Sequence, residues 1–356
     1  MARIYGRDFT KRELQRHVGD LSQVADARRS TLADGKARGV DAIDFTTGTG
    51  FAFTVLPGRG MDVAWATYNG ASLCYLSKTG VVGPQFFREE GTKGFLDGFF
   101  AGMLTTGGLT HMGSPSVDEG RAFGLHGVVS NLPAEEVAVS RVWSGDEYVL
   151  SVRGKVRQAS VFGEDLVLER EISTRLGGKK FTIRDRVTNE GFAPQPLMLL
   201  YHINLGFPVV GGESRLYGRE LRAEARPGTP DTAVPTHGSF QAPTAGYAEQ
   251  CFYLDHAVGP DGLASACLFN PALGADGLGV SVSYDKSTLP YFTEWKQMGE
   301  QEYVVGLEPG TWRVEGRAEA RRRGELAMLA PGESHGFLVE IGVVEGRGEL
   351  EARYGG

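Results

Sequence analysis

Along most of this chain the apolar positions recur at every second residue. Phe51, Phe53 and Val55 alternate with smaller residues until Pro57-Gly58 ends the run. Tyr148, Leu150 and Val152 repeat the pattern, as do Val280, Val282 and Tyr284, and then Phe337, Val339 and Ile341. Alternation of this kind predicts strands with one face on a core. Leu166, Leu168 and Arg170 lead into Ile172, and a run from Phe181 to Thr188 is closed by a turn at Asn189-Glu190-Gly191. Leu197 to Ile203 is almost unbroken apolar sequence, as expected of a strand buried on both faces. A single early segment predicts a helix. Thr10 and Glu13 have capping-box spacing, and Leu14, Val18 and Leu21 follow at helical intervals, with Gly19 working against them. Phe95 to Leu109 fits either a short helix or a buried loop. Gly107 to Phe123 and Glu224 to Gly246 predict long loops, which in compact domains are commonly functional.

Gly, Pro, Asn and Asp clusters separate these runs at short intervals, so the pattern predicts an all-β fold, a large antiparallel β-sandwich, in place of βαβ units. The 51 glycines follow no period, which excludes collagen-like and low-complexity chains. No linker stands out among the 356 residues. The expectation is one domain over 1–356, with 1–40 as a helical or extended lead-in.

Charge and cysteine narrow the partners. A formal net charge of -7 argues against nucleic acid and anionic membrane surfaces, which need clustered Lys and Arg. The run Arg321-Arg322-Arg323 is short and reads as a solvated turn. Cys74, Cys251 and Cys267 are odd in number and widely spaced, so no disulfide framework, zinc ribbon or thioredoxin motif is expected. Met1 to Asp8 lacks the apolar stretch of a secretion signal, and no run of about 18 apolar residues occurs. The expectation is a cytoplasmic protein, monomer or homodimer.

Three motifs place an ionisable group beside Gly or Pro at an expected strand end: Gly124-Leu125-His126-Gly127, Tyr201-His202-Ile203-Asn204-Leu205-Gly206, and Gly306-Leu307-Glu308-Pro309-Gly310. Such positions let a side chain project into a cleft while small neighbours leave room for a ligand. Taken singly, each has an ordinary structural reading.

In this order the three motifs resemble the aldose 1-epimerase (galactose mutarotase) superfamily, with its His-Gly motif, a later His at a strand end carrying an Asn, and a late Glu. The chain is similar to one branch, the uncharacterised aldose-epimerase-like proteins grouped as domains of unknown function. That likeness rests on Pro57, Arg59, Gly60, Met61 and Asp62, on Phe99 to Thr105, and on Trp295-Lys296, and spans roughly residues 50 to 345. It departs from the mutarotase pattern in three places. Phe123 stands where an Asn precedes the first His, and His202-Ile203-Asn204 replaces a longer His-to-Asn motif. The middle Asp that grips sugar hydroxyls has no certain match; Asp255 is the candidate, a plain turn residue being the other reading.

The resemblance implies a galactose-mutarotase-like supersandwich acting on a small free carbohydrate. It implies Glu308 as base, His202 as acid, and His126 as a hydrogen-bonding group near the ring oxygen, with no organic cofactor and no metal. An acid and a base on opposite sides of a sugar ring can open it and reclose it on the other face. Asn204 and Asp255 would bind substrate. Trp295 would stack on the sugar or pack in the core. Lys296 and Arg59 would bind hydroxyls or an acidic group, or form structural ion pairs. Glu294 and Lys296 share a face if their segment is a strand and can simply pair. His111 and His256 have no assigned role, and His17, His237 and His335 are expected at the surface. Three other readings remain open. One is a non-catalytic sugar-binding or regulatory protein. Another is a different sugar isomerase, lyase or hydrolase on the same fold; a hydrolase would need a second carboxylate. The third is a metal held by His126, His202 and Glu308.

Overall fold

The computed structural model describes residues 1–355 as antiparallel sheets packed face to face, with few and short helices. Strands Phe51–Leu56, Glu147–Ala159, Leu278–Tyr284 and Ser334–Glu345 form where the sequence alternates. Met198–Gly206, which takes in all of the Leu197 to Ile203 run but its first residue, is buried at every position. The capping box at Thr10 and Glu13 forms as expected, on a helix of one turn, Lys11–Gln15. Residues 1–40 also hold the strand Asp26–Thr31, which edges a five-stranded sheet.

Several features differ from expectation. Phe95 to Leu109, expected as a short helix or buried loop, ends in the strand Thr105–Leu109, and Glu224 to Gly246 holds a short 3-10 helix, Asp231–Thr236. Within Gly107 to Phe123 lies a small hairpin, Ser116–Asp118 with Arg121–Phe123, anchored where Arg121 meets Glu164 at 2.8 Å. Arg321, Arg322 and Arg323 end a helix, Arg317–Arg323, closed by Gly324 in the left-handed conformation. Arg321 pairs with Asp118, and Arg322 and Arg323 both reach Glu319, so the run is tied down on its own helix and on the hairpin.

Function depends on one six-stranded sheet. Its strands lie in the order Glu220–Ala225, Gln250–His256, Tyr291–Met298, Tyr303–Gly310, Met198–Gly206 and Thr105–Leu109. One face enters the main core through Leu199, Tyr201, Ile203, Val305, Leu307 and Phe292. The period of two sends the intervening residues, His202, Gly306, Glu308 and Trp295 among them, to the opposite face. Behind His202, a buried network links Tyr201 to Asp185 at 2.7 Å, Asp185 to Arg170 at 2.6 Å and Arg170 to Asp62 at 3.6 Å. Asp62 also accepts from the Thr106 backbone N–H and hydroxyl, at 3.0 and 2.6 Å. The strand that pairs Thr105 with His202 is thereby fixed from behind.

Candidate functional site

The register Leu200↔Gly310 and Ile203↔Leu307 sets His202 opposite Glu308 on neighbouring strands. Cross-strand partners sit about 5 Å apart at Cβ, so their side chains must meet. His202 Nε2 lies 3.2 Å from Glu308 Oε1. The contact is not aligned as a hydrogen bond: Glu308 Oε1 and His202 Nδ1 are both buried without a hydrogen-bond partner. Gly306 makes the pairing possible. A Cβ there would stand 2.4 Å from Glu308 Oε1, 3.1 Å from Trp295 Cβ and 3.3 Å from His202 Cε1.

Both groups lie at the closed end of a cleft of about 490 Å³, within the range of about 300–1,000 Å³ usual for small-molecule sites. Phe95, Phe99 and Trp295 form an aromatic wall, with Phe99 5.3 Å and Trp295 5.5 Å from the His202 ring. The indole N–H of Trp295 donates to Glu249 at 2.9 Å, which holds its ring in place.

His126 enters from the other side, its ring 5.4 Å from that of His202 and edge-on to it. Its backbone has φ of 56°, a left-handed conformation that costs a non-glycine residue energy and that clusters at functional sites. Nδ1 accepts the Gly113 backbone N–H at 3.3 Å, so the ring proton sits on Nε2.

Burial dominates the electrostatics. It pushes Glu308 up to about 8, with Arg226 pulling down and Glu249 adding to the rise. It pulls His202 down to about 3 against hydrogen bonding from Asn204. It takes His126 well below the usual imidazole range, helped by His202, His111 and Arg226. Near neutral pH the cleft thus holds a protonated Glu308 beside neutral imidazoles.

Of the residues expected from sequence, Glu308, His202, His126 and Trp295 line the cleft and the other four do not. Asn204 is fully buried beside His202; its Nδ2 donates to the His202 carbonyl at 2.9 Å, so it positions the histidine. Arg59 is only 1% exposed because its guanidinium binds the Ser130, Val82 and Gly98 carbonyls, stitching three loops together. Asp255 belongs to a strand, not a turn, and pairs with Lys286 at 2.5 Å outside the cleft. Lys296 points to the face opposite Trp295, where its ammonium binds the Thr236, His237 and Ser239 carbonyls. Glu294 does share that face but pairs with His237 at 2.6 Å. His237 is therefore no surface group: it is clamped between Glu294 and Glu220. His111 and His256 are buried, and neither lines the cleft.

Sequence reasoning missed Arg226, near the start of the 224–246 segment, and Glu249 and Cys251, just beyond its end, all of which line the cleft. The loop length was a signal for the region, but nothing marked these residues. Among the described residues, no three His, Cys, Asp or Glu side chains are grouped to hold a metal ion, and no helix is long and apolar enough to cross a membrane.

A family model described as "Domain of unknown function (DUF4432)" matches residues 37–343. No curated protein matches the sequence. Among solved structures, a protein of Klebsiella pneumoniae provisionally named aldose 1-epimerase is 26% identical. It aligns over 91% of this chain and 84% of its own at a TM-score of 0.83. A galactose mutarotase-like protein of Clostridium acetobutylicum is 16% identical, over 91% and 99% of the two chains, with a TM-score of 0.62. Galactose 1-epimerase of Lactobacillus acidophilus is 10% identical, over 91% and 100%, with a TM-score of 0.57. The last two likenesses speak for the fold alone.

Proposed function

The chain belongs to the family described as domain of unknown function DUF4432, and from that premise we propose that it is a carbohydrate mutarotase, exchanging the anomers of a free sugar. The observation that carries this reading is the meeting of His202 and Glu308, 3.2 Å apart, at the closed end of an aromatic-walled cleft. The fold, shared with proteins named as epimerases and mutarotases, supports it.

Mutarotation takes a proton from the anomeric hydroxyl and gives one to the ring oxygen; the open aldehyde turns and recloses. Two groups sharing one proton meet that need. Before a sugar binds, the proton rests on Glu308. Moving it across to His202 yields a carboxylate and an imidazolium. A sugar whose anomeric hydroxyl donates to Glu308 and whose ring oxygen accepts from His202 favours that arrangement, because each hydrogen bond is then charge-assisted. His126, neutral with its proton on Nε2, donates to a sugar oxygen without giving up the proton, the part a low-pKa imidazole suits. Trp295 offers its face to the sugar C–H surface. The test is a panel of free sugars followed by NMR exchange spectroscopy, in which anomer exchange of the true substrate rises in proportion to protein concentration.

A further inference from the structure

One arginine in the cleft has no acidic partner. Arg226 follows the strand Glu220–Ala225, and its backbone N–H donates to the Cys251 carbonyl at 2.9 Å, which fixes its base against the next strand. Its Nη2 donates to Ser114 Oγ at 2.7 Å, while Nε is buried with no hydrogen-bond partner. Among the described residues its guanidinium makes no ion pair. Arg121, Arg313 and Arg317, by contrast, are each held by a carboxylate within 2.8 Å.

No neighbouring carboxylate pairs with it directly. Glu249 lines the same cleft and accepts the Trp295 N–H, but it makes no ion pair with Arg226. Glu308 makes no ion pair with Arg226, and burial favours its uncharged form. Lys78, the other cation of the cleft, is already paired with Glu302 at 2.5 Å. A guanidinium that lines a cleft and has no carboxylate partner is free to take one from a ligand.

We propose that the sugar taken by this cleft carries a carboxylate, received by Arg226 beside Ser114, so that the substrate is a uronic acid with a free anomeric carbon. The planar guanidinium fork matches the two oxygens of a carboxylate. One free cation suits a monoanion; a phosphate dianion would call for a second, and Lys78 is engaged. This inference rests on the mutarotase reading for its choice of site, and names the substrate class within it.

The test is NMR titration of the whole protein with glucose, galactose, glucuronate, galacturonate and glucose 6-phosphate, for the wild type, Arg226→Gln and Arg226→Lys. The uronate is expected to bind the wild type about 10- to 100-fold more tightly than its neutral parent. Arg226→Gln is expected to lose that preference while still binding the neutral sugar, and Arg226→Lys, with the charge but not the fork, to keep part of it. Equal affinity of the wild type for uronate and parent would overturn the proposal. So would equal weakening of both by Arg226→Gln, or a phosphate that binds more tightly than the uronate. Anomer exchange is read separately. Uronate binding through Arg226 without faster exchange would sink the mutarotase reading and leave this one. Faster exchange of neutral sugars alone would do the reverse.

Discussion

His202 and Glu308 face each other across adjacent antiparallel strands with Nε2 and Oε1 3.2 Å apart, and burial favours the uncharged form of each. The two groups behave as a unit with one transferable proton, whose loss belongs to the pair more than to either residue.

The pH profile follows from that proton. The pair keeps it until pH rises through about 8, the value to which burial lifts Glu308. Above it Glu308 is ionised, His202 is neutral, and no acid remains. Catalysis is expected to hold through neutral pH and to fall above about 8. A free imidazole acid of ordinary pKa would lose activity from about 6.5 upward. Exchange rates measured from pH 5 to 10 separate the two.

Removing the carboxylate is expected to trade function for stability. The folded-state pKa of Glu308 is raised, so the unfolded chain gives up this proton first. Stability from this group is full below about 4.5 and declines as pH rises toward 8. Glu308→Gln keeps the shape and removes the titration. It is expected to gain on the order of 2 kcal/mol near pH 7 in urea unfolding, and to lose roughly 10²- to 10⁴-fold in anomer exchange.

Gly306 tests the geometry without replacing either reacting group. Gly306→Ala places a methyl 2.4 Å from the present position of Glu308 Oε1, so the carboxylate must swing away from His202. The expected result is a folded protein, less stable by about 1–3 kcal/mol, whose activity falls close to that of Glu308→Gln. An alanine variant with wild-type exchange would contradict the assigned pair.

Much of the fold was legible because a period of two has one reading. Phe51, Phe53 and Val55, or Val280, Val282 and Tyr284, can bury one face only as strands. The largely apolar Leu197 to Ile203 run likewise fell, from Met198 on, inside an interior strand of the sheet. Register was not legible. Nothing in the spacing of His202 and Glu308 says that they meet; the family likeness pointed to both, and the pairing of Ile203 with Leu307 brings them together. Strand parity also decides Lys296. Its neighbour Trp295 faces the cleft, so Lys296 must face away. Arg59 was open between a ligand-binding cation and a structural ion pair; it is neither, because three carbonyl groups hold its buried charge, and sequence does not show carbonyls converging.

Arg59 is accordingly expected to matter for folding and not for specificity. Arg59→Ala leaves the Ser130, Val82 and Gly98 carbonyls without their donor. A loss of about 3 kcal/mol or more in stability is expected, with unchanged sugar preference in the fraction that folds. Denaturant melts and titration of the folded protein check both halves.

The His237 clamp gives a second pH signature, on the face away from the cleft. Burial alone would lower its pKa, but Glu220 and Glu294 override that and raise it to about 9. Its contribution to stability is complete below about 6.5 and is lost as pH rises through about 9. His237→Gln is expected to be less stable than the wild type at pH 6 and to approach it by pH 10. A constant difference across that range would contradict the clamp.

The most direct test of the central claim is the anomer-exchange rate of one accepted sugar with the wild type, Glu308→Gln and His202→Asn, measured by NMR at equal protein concentration. Clear acceleration by the wild type is expected, with its near-complete loss in both variants and the sugar still binding to each. Acceleration that survives in either variant would contradict the His202–Glu308 pair. Saturable binding to the wild type with no acceleration of any sugar would mean that the cleft holds carbohydrate without turning it over.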